Sequence, residues 1–386
     1  MRIETRIALT RHLQALARGE GCPMAEQRIY SPVAEYADPA HLARERSLLF
    51  RRYPVVVAHI SRLPTPGSFL TEDVAGLPIL VVRQDDDSIR AFVNLCRHRG
   101  AIVVEERSGR ARRFACPYHG WSYDTEGCLR AVTEPAAFSD VARERSGLIP
   151  LPTEVRHGLV WIVADPTARL DVAAHLGELD DELSSFALDS YVEERATELR
   201  ADLNWKLVVD GFLETYHLPI LHRETIGPYI RAKPAPFTPF GRHGRMVALR
   251  QSFDQIASAE PESADLLPHV AIIYQVFPNT VLVWQGDHFE IWAPFPADEP
   301  GRSVSRVSLL ARSQEEALSR RGHWDRNWKI LMDTVQQEDF RVGRGMQRGF
   351  ATGAQEHVVF GRNEPALQHF HESLRGALSE ADIGTP

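Results

Sequence analysis

Hydrophobic positions change their spacing several times along this chain, and each change marks an element. After Tyr53 the apolar residues fall in short runs over 55–60, 67–71, 78–82 and 89–95, with Asp85-Asp86-Asp87-Ser88 as a turn between the last two. Short apolar runs bounded by turn residues predict β-strands. This β-rich stretch closes near 158–163, and Pro166 marks a boundary. Before it, residues 1–50 read as partly helical, with Asp38-Pro39 opening a helix through Leu42, Leu48, Leu49 and Phe50. After it, 168–187 reads as helix, and 191–203 alternates like a strand and leads into the segment 205–221. Four further strand-like runs cover 270–277, 281–285, 289–293 and 304–310. Turns at Pro278-Asn279 and Gly286-Asp287 separate the first three, as in an antiparallel sheet. Helical spacing returns over 324–345 and 365–379. The pattern predicts an α+β chain with an all-β insert, divided as 1–50, 51–165 and 166–386.

Composition adds bounds. A chain of 386 residues can bury a sizeable core, and 44% hydrophobic with 25% charged residues is ordinary for a globular protein. The net charge of -8 disfavours nucleic acid and anionic membrane as partners. Arg2, Arg6, Arg11 and Arg18 interrupt the apolar stretches at the N-terminus, so no signal peptide or bilayer span is expected. Of four cysteines, Cys22 and Cys128 show no sign of pairing, and the chain is too large and too poor in Cys for a disulfide scaffold. The reducing cytoplasm is the expected compartment.

The other two cysteines sit in two tight mixed pairs, Cys96-x-His98 and Cys116-x-x-His119. Two thiolates and two imidazoles form either a zinc set or the ligand set of a Rieske [2Fe–2S] cluster, in which Cys holds one iron and His the other. Zinc fingers usually pair Cys with Cys and His with His. Here each pair is mixed and lies between β-rich segments, with Gly100, Pro117 and Gly120 supplying tight loops. On Cys96-Arg97-His98-Arg99-Gly100 and Cys116-Pro117-Tyr118-His119-Gly120-Trp121, the chain resembles the Rieske non-heme iron oxygenases, in particular their alpha (terminal oxygenase) subunit. The resemblance covers about residues 40–350. It implies an all-β Rieske domain inserted in a helix-grip catalytic domain, an antiparallel sheet plus a long helix. The N-terminal 1–50 would belong to that catalytic domain. It also implies a second metal, a mononuclear Fe(II).

Asp210, Glu214 and His217 are spaced i, i+4 and i+7, one face of a helix, while His222 at i+5 from His217 would point about 140° away on a straight helix. Pro219 offers a bend that could aim both imidazoles at one ion. By resemblance, Glu214, His217 and His222 match the family's acid-x2-His-x4-His pattern, and His217 and His222 are iron ligands. A carboxylate should complete a facial triad. Asp333, Glu338 and Asp339 compete for that place on the late helix. An apolar stripe through Trp328, Leu331/Met332, Val335, Val342 and Met346 puts Asp339 on the inward face and Glu338 about 100° away. The family's Glu-Asp pattern also points to Asp339. The resemblance further implies that Glu214 bridges His217 and a neighbouring subunit's His119 in a homotrimer. Many aromatic dioxygenases carry Asp at this place, whereas carnitine- and choline-type members carry Glu. Asp210, where dihydroxylating members often have Asn, is either a catalytic-site acid or a charge at a helix N-terminus.

His369-x-His371 lies in a helical segment, where i and i+2 diverge. Gly343-x-Gly345-x-x-x-Gly349 lacks nucleotide-loop spacing and reads as a helix end. With no nicotinamide or flavin fingerprint, electrons would come from a ferredoxin or flavin reductase, which Arg97, Arg99, Arg110, Arg112 and Arg113 could dock. Tyr118, Trp121 and Tyr123 are expected around the cluster. Leu213, Leu218 and the 270–293 strands are expected around the substrate. The function implied by resemblance is O2-dependent hydroxylation of an organic substrate, either aromatic ring hydroxylation or oxidative N- or O-demethylation. A Rieske electron carrier without the second site and a zinc protein remain the competing classes.

Overall fold

The structure, a computed structural model, describes residues 1–21 and 23–383, with backbone only for 381–383. Cys22 lies outside the described residues. Contacts divide the chain into two units, Phe50–His175 and a discontinuous one built from Met1–Leu49 with the chain from Leu176 onward.

Within Phe50–His175 the predicted runs are strands Val55–His59, Ser68–Val74, Leu77–Arg83 and Ile89–Val93. Among the described residues they belong to antiparallel sheets of five and three strands, and a further three-stranded sheet holds Arg113–Ala115, Ser122–Asp124 and Leu129–Ala131. Val55–His59 is buried at every position, which explains its unbroken apolar run. Phe69, Leu80, Phe92, Phe114 and Leu129 pack around Cys96, Cys116 and Trp121.

Among the described residues the other unit holds a seven-stranded sheet and a two-stranded one, Ile29–Pro32 with His357–Phe360. The four predicted runs appear as Val270–Val276, Thr280–Trp284, Phe289–Pro296 and Ser303–Ala311, and Val192–Ala201 closes one edge against the last of them. Phe237–Phe240 and His243–Leu249 extend the other edge and were not anticipated from the pattern. His243–Leu249 is wholly buried yet opens with His, Gly and Arg. Its Arg245 is matched by buried Glu182 at 2.7 Å, which also accepts from Tyr274 Oη at 2.6 Å. No local pattern shows that partner.

Two helical expectations need correction. The segment 205–221 is not one bent helix. Trp205–Phe212 ends early, and a separate short helix, Leu218–Leu221, follows with Pro219 in its first turn, where the missing N–H costs nothing. The break comes from Glu214, whose side chain accepts from the backbone N–H of Tyr216 and of His217 and so replaces the helical ladder. The late helix is also irregular: Arg321–Met332 and Phe340–Ala351 are joined by a π-helical stretch, Asp333–Asp339. That widening shifts the phase. Val342 and Met346, predicted inward, are exposed, and Phe340, Gly343, Gln347 and Phe350 face inward instead. Gly343, Gly345 and Gly349 therefore lie inside a helix rather than at its end.

Buried polar pairs tie the N-terminal segment to this unit. Lys206 Nζ lies 2.5 Å from Glu45, and both side chains are 1% exposed. Trp205 Nε1 donates to the same carboxylate at 2.9 Å. Breaking a buried pair strands a charge, so Glu45→Ala should destabilise the protein by about 3–5 kcal/mol, read as a lower denaturant midpoint. Glu35 accepts from Arg375 Nε (2.7 Å) and Ser31 Oγ (2.9 Å) and faces His371 at 3.7 Å. Burial raises its carboxyl, but His371, Arg375 and Ser31 outweigh burial and hold it at about 2, below the ordinary 4.5. This contribution is present above 4.5 and is lost as pH falls through about 2. The midpoint gap between wild type and Glu35→Gln should therefore narrow as the pH is lowered.

Candidate metal centres

Two loop tips with the same closure carry the first donor set. Cys96 N–H donates to Ala101 O (2.7 Å) and Gly100 N–H to Cys96 O (2.9 Å). Cys116 N–H donates to Trp121 O (2.8 Å) and Gly120 N–H to Cys116 O (3.0 Å). Both glycines have positive φ, +76° and +69°, which a side chain would strain. Each tip thus presents one buried thiol and one imidazole. His98 and His119 stand with ring centroids 4.8 Å apart, and His98 stacks on Trp121 at 4.9 Å and 10°. Tyr123 Oη accepts from Arg97 N–H (3.0 Å) and lies 3.4 Å from Cys96 Sγ. Burial and Cys96 push the Tyr123 phenol above its ordinary value, so it remains a donor to the sulfur. Tyr118 packs its ring against His119, with centroids 3.7 Å apart, while its outer face is exposed beneath Arg99.

The donors fit a cluster. His98 Nδ1 is buried without a hydrogen-bond partner, an unfavourable state unless a metal takes its lone pair. Burial, His119 and Arg99 hold this imidazole below its ordinary value and hence neutral, as a ligand must be.

The second set comes from the break after Trp205–Phe212 and from the π-helical stretch. His217 Nε2 and His222 Nε2 face each other at 3.0 Å. Asp339 Oδ1 lies 3.0 Å from His222 Nε2 and 3.7 Å from His217 Nε2. The outer nitrogens are both taken: His217 Nδ1 pairs with Glu214, and His222 Nδ1 with Glu338 at 2.7 Å. An ionised carboxylate only accepts, so each Nδ1 carries the proton and each Nε2 offers a lone pair. Three acceptors thus converge with no donor between them, an arrangement that could hold a cation. Burial lowers His222, but Asp339 and Glu338 outweigh it and raise it. Two imidazoles and one carboxylate fit the non-heme Fe(II) triad.

Glu338 was misjudged on a straight-helix phase. Within the π-helical stretch Glu338 and Asp339 both reach His222, and Thr225 Oγ1 also donates to Glu338 (2.7 Å). Asp210 sits in the last turn of its helix, not the first, and is held away from the triad by Tyr36 Oη (2.8 Å) and His371 Nε2 (2.9 Å). His369 turns elsewhere, to the His243 carbonyl at 3.1 Å, so the His-x-His pair does not chelate.

The triad opens onto a cavity of about 350 Å³. Phe212, Leu218, Ile230, Met246, Ala271, Ile273, Val283, Leu331 and Val335 give it apolar walls, while Leu213 lies outside the lining. Arg250, Gln285, Glu290 and Asn327 also line it, and the sequence pattern did not single out any of them.

Comparison with known proteins agrees with this geometry. Residues 53–145 match the Rieske [2Fe-2S] domain, and residues 188–380 match the ring hydroxylating alpha subunit (catalytic domain). The glycine betaine monooxygenase oxygenase subunit of Chromohalobacter salexigens is 25% identical over 90% of this chain and 86% of its own length. The large oxygenase component of the naphthalene 1,2-dioxygenase system of a Ralstonia species is 26% identical over 78% of each chain. A crystal structure of a quaternary ammonium Rieske monooxygenase superposes with a TM-score of 0.79 at 20% identity, covering 94% of this chain and 98% of that one. The chain belongs to the ring-hydroxylating alpha-subunit family, terminal oxygenases that join a Rieske [2Fe–2S] domain to a mononuclear-iron catalytic domain.

Proposed function

We propose that Cys96, His98, Cys116 and His119 hold the cluster, that His217, His222 and Asp339 hold Fe(II), and that the chain oxidises a small organic substrate in the adjoining cavity. The carrying observation is the convergence of His217 Nε2, His222 Nε2 and Asp339 Oδ1 beside apolar walls. When bound, the cluster supplies one-electron transfer and the Fe(II) supplies reductive activation of O2. Glu214 and Glu338 keep the imidazole protons on Nδ1 and fix the ring orientations. The apolar walls exclude water and hold the substrate near the triad. Glu214 also serves as the acid through which a neighbouring copy's His119 is coupled to His217 in a homotrimer. Asp210, tied to Tyr36 and His371, acts as a positioning residue for this segment.

Electrons come from a ferredoxin or flavin reductase. The exposed Arg97, Arg99, Arg110, Arg112 and Arg113 offer an acidic carrier a complementary face. No helix among the described residues is long and apolar enough to cross a membrane. Aromatic ring hydroxylation is the leading reaction. Oxidative demethylation is the second reading, favoured by Glu rather than Asp at 214 and by the extended similarity to a glycine betaine monooxygenase subunit.

Anaerobically purified protein should contain about three iron and two acid-labile sulfide per chain, with a Rieske-type EPR signal after reduction. His217→Ala should lower the iron to about two and leave that signal in place. Glu338→Gln keeps the ligands and should weaken Fe(II) affinity by about 10- to 100-fold in a metal titration. With a ferredoxin and reductase, substrate-dependent O2 uptake should accompany either a hydroxylated ring or released formaldehyde, which separates the two reactions. Loaded, reduced protein that consumes O2 with neither substrate class would refute the oxygenase assignment of this cavity.

A further inference from the structure

The iron triad is supplied from the helical side of the cavity, but the sheet side carries a polar group that the triad does not use. Met246, Ile273, Val283 and Glu290 stand directly opposite one another across four neighbouring strands. Three are apolar, and the fourth is a carboxylate only 5% exposed. Its ion-pair partner is His288, whose Nε2 lies 3.9 Å away. The other acid nearby, Asp287, is already matched by Arg320 (3.0 Å), His323 (3.0 Å) and His288 Nδ1 (2.7 Å).

Arg250 is different. It is half-buried and lines the cavity, and its Nη1 donates to the Gln285 carbonyl at 2.5 Å. Gly286 at φ +94° makes the room: a Cβ there would stand 2.8 Å from Arg250 Nη1. Among the described residues no carboxylate lies within ion-pair distance of Arg250. Burial lowers its guanidinium despite the charges of Asp287 and Glu290. With Glu290 nearest His288, and Asp287 held by Arg320, Arg250 is left on the sheet side of the cavity without an ion-pair partner and fixed in orientation; Arg326 lines the cavity from the helical side. A planar guanidinium with spare N–H groups receives a carboxylate through paired hydrogen bonds.

We infer that Arg250 determines substrate specificity, and that the substrate is an apolar molecule bearing a carboxylate which Arg250 receives. This rests on the oxygenase reading of the same cavity and narrows it: a bare hydrocarbon leaves Arg250 half-buried without an ion-pair partner. Glu290 adds an acceptor for a hydroxyl or N–H on the same ligand.

The test uses iron-loaded, cluster-containing protein and matched probes that differ only in charge: 4-methylbenzoate against 4-methylbenzamide, and γ-butyrobetaine against its primary amide. Binding is measured by calorimetry under anaerobic conditions. In at least one pair the carboxylate should bind about 10- to 100-fold more tightly than the amide. Arg250→Gln should bring that ratio close to one, and Arg250→Lys should restore part of it, with iron content and EPR signal unchanged in both. The wild-type comparison needs no variant, so a misfolded substitution does not blunt the test. Equal binding within both pairs, absence of binding by all four probes, or a preference that survives Arg250→Gln would each overturn the proposal. Preferential carboxylate binding without O2 uptake would instead count against the oxygenase reading, and uptake confined to neutral arenes would leave that reading intact while removing this one.

Discussion

The catalytic unit depends on where two protons sit. Glu214 and Glu338 each occupy the outer nitrogen of an imidazole, and this forces the lone pairs of His217 and His222 inward, toward each other and toward Asp339. Without those carboxylates either ring could turn or change tautomer, and the three acceptors would no longer converge. Around them the backbone is irregular. A helix stops at Phe212 because Glu214 captures the next amides, and the opposing helix widens through a π-helical stretch where Glu338 and Asp339 enter. Departures from regular helix are concentrated at the proposed metal donors.

The regular part of the unit answers a different requirement. The seven-stranded sheet gives a wall whose side chains are fixed by register, so apolar contacts and one charge can be placed without mobile loops. Met246, Ile273 and Val283 supply the apolar surface, and Arg250 at the end of a strand supplies the charge, held by a backbone carbonyl and by the space that Gly286 leaves. On the proposed assignment, chemistry lies on the helical side and recognition on the sheet side, so the two can vary separately.

Between chain ends and site runs a buried polar network. Asp210 accepts from Tyr36 and pairs with His371, which faces Glu35, and Glu35 is held by Arg375. Tyr36 and Glu35 come from the N-terminal segment, and His371 and Arg375 from the last helix. A low-dielectric interior makes such a network costly to leave half-made, so these segments are fastened to the helix that precedes His217 and His222, the proposed iron donors.

Local information was enough for some of this. The two cluster loops were legible because each is a short contiguous segment whose donors, turn glycines and closing hydrogen bonds lie within six residues of sequence. Strands over 55–95 and 270–310 were legible because their apolar runs are bounded by turn residues. The sequence by itself also put Asp339, rather than Asp333 or Glu338, on the side of His217 and His222, although by a helical phase that the π-helical stretch shows to be wrong for Val342, Met346 and Glu338. Only the tertiary structure decided the rest. Glu338 and Arg250 lie far in sequence from the groups they face, His222 and the Gln285 carbonyl, and no local pattern shows those partners. A carboxylate on a helix and an arginine at the end of a strand read as ordinary surface charge until a distant segment folds over them, because burial and hydrogen-bond partners are properties of the packed chain and not of its local pattern.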